Sequence, residues 1–357
     1  MCKKMLFELG ERRIISELSS LISPDIRLLD GIGHDSAFID IDVSDDEIIL
    51  LNTDRSGISI ATKLGLCDGA GTGDFAVSHA VSDIYASGGT PVALSLAMLL
   101  PPDLSLDFAK EVMRGINSAA LKYGAFIASG DTKENSKFAI VVTAVGKCKK
   151  DQRLTRSGAN PGDLIVSTGN FGKMLSGIIS HKKHLSLSDE IQQDLDNAMI
   201  WQNPPWKLSS EVSKLKCANA CTDNSDGLSG TLYSLCDSSG VGAVLFKENI
   251  PVSNSVKYVA ESIGVDPFQL VLGNGDWQHI YAVPEERLCD IMSVSSSIGS
   301  DLYVIGKFTN KPYVTISENG SEHILRRIEN NRFGGGLSFF DILSSDITYR
   351  GEPISNV

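Results

Sequence analysis

Residues 221–230 read CTDNSDGLSG, and the six positions that begin at Thr222 hold two carboxylates, two hydroxyls, an amide and a glycine. Such a run is typical of a solvated turn, of a calcium loop, or of a site that holds a metal ion with its phosphates. A calcium loop of the EF-hand type starting at Asp223 needs an acidic residue at its twelfth position, which is Ser234. The calcium loop is therefore excluded, and the rest of the chain decides between the other two.

The length and charge of the chain limit the classes of protein to which it can belong. Its 357 residues exceed the size at which one hydrophobic core usually divides, which predicts two domains. We place them at residues 1–150 and 151–345, followed by a loose tail at 346–357. The formal net charge of −12 argues against a nucleic-acid partner, whose phosphates the protein would repel. A small phosphate-bearing ligand stays compatible, because aspartates bind phosphates through Mg²⁺.

The seven cysteines are odd in number and scattered, and no C-x-x-C motif occurs. This usage favours reduced thiols over a disulfide framework or a structural zinc site. No run of about eighteen apolar residues is present, which argues against a membrane span. The sequence therefore predicts a cytoplasmic protein with no membrane partner.

Apolar patterning alternates strands with helices in both halves, which predicts an α/β fold with mixed sheets. Residues 48–54 (IILLNTD) read as a buried strand that runs into an aspartate. Residues 74–88 predict a helix that Asp74 caps and Gly88 ends, and a second helix is predicted over 105–123.

Several aspartates follow predicted strands and have glycine, serine or threonine beside them: Asp35, Asp54, Asp131, Asp223 and Asp226. Asp83 lies on the helix at 74–88, and the pattern predicts that it faces away from the apolar stripe. A single such acid is typical of a turn or a helix cap. As a group, hard oxygen ligands without nearby Cys–His clusters suit Mg²⁺ that bridges nucleotide phosphates.

Other phosphate and catalytic motifs are absent. TGNFGKM is too short between its glycines for a P-loop, and GAGTG at 69–73 does not have the dinucleotide spacing. The six histidines include no pair at i and i+4, and no G-x-S-x-G marks a serine nucleophile.

Eight motifs, taken together, match a known family: LGERRIISEL, GIGHDSA, NTD, AVSDIYASGGTP, SGDT, RSGANPGD, TDNSDGL and LGNGDWQ. Over about residues 8 to 341 the chain resembles the superfamily of aminoimidazole ribonucleotide synthetase, selenophosphate synthetase and the hydrogenase-maturation dehydratase. It is most similar to the thiamine-monophosphate kinases.

The resemblance implies a two-domain α/β fold of the PurM-like type, in a homodimer whose N-terminal halves form a joint β-barrel. It also implies ATP and Mg²⁺ in a cleft between the domains, with in-line transfer of a phosphoryl group to a small-molecule acceptor. By resemblance, Gly130, Arg156 and Ser225 contact ATP, and Asp54, Asp131 and Asp226 are catalytic. The metal-binding set implied by the resemblance is Asp35, Thr53, Asp54, Asp83, Asp131, Asp223 and Asp226.

The departures from the kinases fall on the acceptor side. A substrate-contacting histidine is replaced by Ala61, and the stacking aromatic aligns with Leu337. The motif Gly-Gly-Glu-Asp-Tyr-Glu becomes GNGDWQ, which ends in Asp276, Trp277 and Gln278 on the substrate side. The sequence therefore leaves the acceptor open, with thiamine phosphate as one candidate.

Two alternatives to a kinase remain. One is an enzyme of the same superfamily that uses ATP to activate an amide or carboxylate oxygen for cyclisation, amidation or dehydration. Product analysis separates this enzyme from a kinase. A kinase releases a phosphorylated product, whereas the activating enzyme releases free phosphate with a condensed product. The other alternative is a non-catalytic nucleotide-binding regulator, against which the retained metal-type acids count.

Overall fold

The computed structural model describes residues 28–29, 37–39, 44–273, 275–328 and 349–353. The predicted metal ligand Asp35, the position Leu337 and most of the expected tail lie outside these residues.

The first half of the chain forms a six-stranded mixed sheet in the order β1-β2-β3-β6-β4-β5. β4 and β5 run parallel, and the other neighbouring strands run antiparallel. The strands are β1 (Leu28–Leu29), β2 (Ala37–Ile39), β3 (Glu47–Ser56), β4 (Thr90–Leu100), β5 (Phe126–Glu134) and β6 (Ala139–Lys149). The helices are α1 (Ile60–Lys63), α2 (Gly69–Ala86) and α3 (Leu106–Lys122).

The second half forms an eight-stranded sheet in the order β14-β13-β12-β9-β11-β7-β10-β8. Its strands are β7 (Leu164–Thr168), β8 (Ala220–Asp223), β9 (Gly242–Phe246), β10 (His279–Val283), β11 (Leu302–Thr309), β12 (Val314–Glu318), β13 (Ser321–Leu325) and β14 (Arg350–Pro353). The mixed α/β fold is thus confirmed, while the domain limits at residue 150 stay a prediction.

Seven helices accompany the second sheet in the part of the chain that the structure describes. They are α4 (Lys173–Lys183), α5 (Asp189–Ile200), α6 (Trp206–Leu215), α7 (Leu228–Ser239), α8 (Asn254–Ile263), α9 (Pro267–Val271) and α10 (Leu288–Ile298).

The first sheet buries one face and leaves the other open. Alternate side chains of its strands, such as Ile48, Leu50 and Val142, pack with α2 and α3 in one core. Among the described residues β1 and β5 remain as edges, so the strands of one chain form no closed barrel. The joint barrel of two chains therefore stays a prediction.

Helix α2 begins five residues earlier than the sequence predicted, at Gly69, and its cap is Asp68 rather than Asp74. The side chain of Asp68 accepts a hydrogen bond from the amide of Ala70, while Asp74 is buried inside the helix. The prediction was wrong because GAGTG reads as a helix breaker. In the fold these small residues are what allow α2 to lie against α3, since a Cβ at Gly73 would sit 2.1 Å from the carbonyl oxygen of Val112.

We expect Gly73→Ala to lower the free energy of unfolding by about 1–3 kcal/mol, because two helix backbones would have to move apart. Urea unfolding measures the change. Gly57→Ala is the matched control, since no atom lies within 4 Å of its added Cβ, and it should stay within about 0.5 kcal/mol of the parent. Equal stability of the two variants would contradict this view of the α2–α3 contact.

The segment predicted as a loose tail contains β14, which pairs with β13. Just before it, the Tyr349 hydroxyl lies 2.7 Å from Nζ of Lys247, which also pairs with Asp266 and Glu318 at 2.6 Å each. This ion network holds Tyr349 beside the second sheet, and a polar composition gives no sign of it.

Candidate functional site

Three predicted metal ligands converge from three elements. Asp54 lies near the end of β3, Asp83 on α2 and Asp223 at the end of β8. The pKa of the Asp83 carboxyl is raised well above its ordinary value, by burial first and then by the negative charges of Asp223 and Asp54. Burial likewise raises the pKa of Asp223, to about 6. Close, partly buried carboxylates of this kind repel one another, so the arrangement is a site for positive charge.

Asp83 lies on a side of α2 that faces other parts of the molecule. The helical pattern predicted a carboxylate that faces away from the apolar stripe, and α2 is buried around most of its circumference. Its polar side therefore faces the rest of the molecule, where Nδ2 of Asn52 donates a 2.6 Å hydrogen bond to the Asp83 carboxylate.

Asp223 is held by both halves of the chain. It pairs with His279 in the ladder between β8 and β10, and it is 3% exposed. The hydroxyl of Ser82 on α2 donates a 3.1 Å hydrogen bond to its Oδ2. One end of the second sheet is thus tied to the helix that carries Asp83.

Arg156 supplies positive charge beside the second half of the opening motif. Burial lowers the pKa of its guanidinium, while the nearby carboxylates of Asp223 and Asp226 raise it. Asp226 is exposed and Ser225 half-buried on the loop that leads into α7. The four residues therefore form one charged corner, which the sequence predicted by resemblance.

Thr53, Gly130 and Asp131 do not join this group. Neighbouring residues of a strand point to opposite faces, so Thr53 lies across the sheet from Asp54, and its hydroxyl is 2.9 Å from that of Thr143. Asp131 is exposed on β5, in the cross-strand row of Ala97 on that same open face. Of the described members of the metal set, Thr53 and Asp131 thus lie on the other face of the first sheet from Asp54 in a single chain.

The acceptor-side residues have structural contacts of their own. The Asp276 carboxylate accepts hydrogen bonds from the amides of Gly172 (2.6 Å) and Met174 (3.2 Å), at the start of α4. Oε1 of Gln278 accepts a 2.8 Å hydrogen bond from the hydroxyl of Thr168. Trp277 lies with a left-handed backbone (φ 50°), which is strained for a bulky residue and is found most often at functional sites.

Asp276 gives the stability of the protein a pH dependence. Burial raises the pKa of its carboxyl from 3.8 to about 6, against the hydrogen bonds from Gly172 and Met174 that lower it. A group with a higher pKa in the folded state binds more protons there. Its contribution to stability is therefore present below about pH 4 and is lost as the pH rises to about 6.

We expect the free energy of unfolding of the parent protein to fall more steeply between about pH 4 and 6 than that of Asp276→Asn. Urea unfolding at several pH values measures both curves, and the difference between them isolates Asp276 from the other buried acids. Parallel curves would contradict the raised pKa.

Two residues that the sequence analysis did not single out complete the site. His79 lies on α2 with Nδ1 3.9 Å from Oδ2 of Asp54, and Gln202 precedes α6 with Oε1 3.1 Å from Nε2 of His79. One signal was available for His79, because it precedes Asp83 by four residues and so shares its side of the helix. The signal for Gln202 was weaker, since it only begins the proline-rich turn QNPPWK.

In the part of the chain that the structure describes, no three His, Cys, Asp or Glu side chains are arranged to hold a metal ion by themselves. The same described residues contain no helix of the length and apolarity that crossing a membrane requires.

Comparison with known proteins gives family matches to both halves. Residues 33–148 match the N-terminal domain of AIR synthase related proteins, and residues 160–318 match the C-terminal domain. The thiamine-monophosphate kinase of Pyrococcus abyssi is 32% identical over 59% of this chain, and that of Pyrococcus horikoshii is 31% identical over 65%. The aligned stretches span 65% and 69% of those two relatives.

A solved structure described as AaThiL complexed with AMPPCP and TMP matches with a TM-score of 0.77 at 25% identity. The match covers 90% of this chain and 96% of that chain. It therefore takes in both sheets.

Proposed function

The chain belongs to the family of AIR synthase related proteins, and from that membership we propose that it is an ATP-dependent phosphotransferase of the thiamine-monophosphate kinase type. The names of the two Pyrococcus relatives support the activity. The AMPPCP in the matched AaThiL complex, an ATP analogue, supports ATP as the phosphoryl donor.

The observation that carries the proposal is the meeting of Asp54, Asp83 and Asp223, with Arg156 beside them. Their mutual repulsion is relieved by a bound cation, and carboxylate oxygens are the ligands that Mg²⁺ prefers. These residues fit Mg²⁺ that is shared with nucleotide phosphates. When bound, the metal neutralises the phosphates and helps to align them with the acceptor.

The side chains of this corner have distinct tasks in the proposed reaction. Arg156 binds phosphate oxygens with a planar fork that a lysine lacks. Ser225 and the first turn of α7 offer hydrogen-bond donors at the positive end of a helix of twelve residues. Because the chain forms no covalent intermediate in this scheme, its contribution is positioning and electrostatic stabilisation.

Gly130, which pairs with Leu96 of β4, stays a proposed ligand of ATP, and Thr53 and Asp131 stay proposed metal ligands on the open face of the first sheet. That face carries an apolar cross-strand row of Leu51, Val145, Ala93 and Phe126. Leu51 is 38% and Phe126 56% exposed, which supports the proposed pairing of two chains through this face. A monomeric mass in light scattering would contradict the pairing.

We expect turnover of thiamine monophosphate with a kcat/KM at least about 100-fold below that of the Pyrococcus horikoshii relative, because a stacking ring and a carboxylate are absent. The assay contains ATP, Mg²⁺ and thiamine monophosphate, and ADP, free phosphate and thiamine diphosphate are read separately. Equal efficiency of the two enzymes would contradict the altered acceptor side. Free phosphate with a condensed product would contradict the kinase itself.

A further inference from the structure

His79 is enclosed by aromatic rings at the junction of the two halves. Its ring centroid lies 3.8 Å from that of Phe75 and 3.6 Å from that of Trp277, and the residue is 8% exposed. Phe75 belongs to the same helix, whereas Trp277 comes from the segment before β10. The imidazole is therefore fixed in orientation by packing from both sides.

The hydrogen bonds of this cluster determine which ring nitrogen carries a proton. The indole Nε1 of Trp277 is only a donor, and it lies 2.7 Å from Gln202, so that atom of Gln202 is the carbonyl Oε1. The same oxygen lies 3.1 Å from Nε2 of His79, which must then donate as well. The neutral imidazole consequently presents the lone pair of Nδ1 on its other side.

The lone pair of Nδ1 lies beside the carboxylate of Asp54, which is also a hydrogen-bond acceptor. Nδ1 of His79 is 3.9 Å from Oδ2 of Asp54, which is too far for a hydrogen bond. Divalent metal ions bind imidazole nitrogen and carboxylate oxygen at about 2.1 Å, so one ion spans two ligands up to about 4.2 Å apart. The separation therefore accommodates a cation bound to both atoms.

The surrounding charge favours a cation over a water molecule in this gap. The negative charge of Asp54 contributes to the raised pKa of both Asp83 and Asp223. Three carboxylates therefore lie in the same region. Arg55 and Arg156 act on Asp54 and Asp223 and compensate part of this charge, whereas a water molecule can donate to both acceptors but adds no positive charge. A divalent ion compensates the remaining negative charge.

We propose that Nδ1 of His79 is a nitrogen ligand of the divalent cation that Asp54 holds, which makes this a mixed nitrogen–oxygen site. The inference rests on the proposed function, in which Asp54 meets a nucleotide-bound metal. Imidazole nitrogen is a better ligand for first-row transition-metal ions than for Mg²⁺, and among these ions Co²⁺ binds more tightly than Mn²⁺. The phosphates of the nucleotide complete the shell.

The test is electron spin-echo modulation on the full-length protein with Mn²⁺ and AMPPCP. Protein labelled with ¹⁵N-histidine is used so that adenine nitrogen cannot be mistaken for a ligand. We expect a directly bound ¹⁵N in the parent protein. His79→Phe keeps a ring between Phe75 and Trp277 and should abolish that signal, and it should weaken Mn²⁺ binding by at least about tenfold.

His181→Gln is the matched control, since His181 pairs with Asp196 at 2.7 Å on α4 and α5 instead of meeting the carboxylate group. It should leave the signal intact. Bound Mn²⁺ without histidine nitrogen, or a signal that survives in His79→Phe, would overturn the inference and leave the proposed function standing. If neither Mn²⁺ nor the nucleotide binds, both are overturned.

Discussion

Asp54→Asn should lower kcat for ATP-dependent phosphoryl transfer by about two to three orders of magnitude while the protein stays folded. The substitution removes the carboxylate that is proposed to bind the metal ion, and Asn is a weaker ligand without charge. Because burial raises the pKa of Asp54, the ionised group is unfavourable in the unliganded protein. The Tm should therefore remain unchanged or rise.

ADP release in the presence of Mg²⁺ and the best available acceptor measures the loss, and thermal unfolding measures the stability. Asp45→Asn is the matched control, because Asp45 is exposed in the turn before β3 and should retain full activity. Full activity of Asp54→Asn would contradict a catalytic role for the carboxylate group. A large fall in its Tm would show instead that Asp54 supports the fold.

Arg156→Met should raise the KM for ATP by about 100-fold, because a charge-assisted contact to phosphate contributes about 1.5–3 kcal/mol. The effect grows further because the neighbouring carboxylates of Asp223 and Asp226 lose their compensating charge. Arg156→Lys should lie between the parent and the Met variant, since it keeps the charge without the fork. Initial rates at varied ATP give the three values.

Arg114→Met serves as the control, because Arg114 is exposed on α3 and its loss should leave the KM for ATP unchanged. An unchanged KM in Arg156→Met would remove Arg156 from the nucleotide site. A fall in kcat alone would assign it to the acceptor or to the transition state.

Much of the fold follows from local patterns. A run of four apolar residues identifies the strand over 48–54, and Ser105 marks the start of α3 by accepting a hydrogen bond from the amide of Phe108. The start of α2 could not be predicted, because whether GAGTG is a turn or a helix depends on what packs against it. That information lies in α3, about forty residues away along the chain.

The candidate site also contains residues that the sequence identified and residues that only the tertiary fold reveals. Motif order and resemblance identified Asp54, Asp83, Asp223 and Arg156, and the structure brings these together. The separation of Thr53 and Asp131 from them follows from strand pleating and register, which no motif encodes. The contact of His79 with Trp277 and Gln202 joins distant segments of the chain, so it emerges only from the tertiary fold.

The central claim is that the carboxylates hold a divalent cation through which the nucleotide is bound. Calorimetric titration of the full-length protein with AMPPCP, with Mg²⁺ and with EDTA, tests it most directly. The predicted result is a Kd at least about 100-fold higher when the metal is removed, and a much smaller metal effect in Asp54→Asn. The same Kd with and without the divalent cation would contradict it.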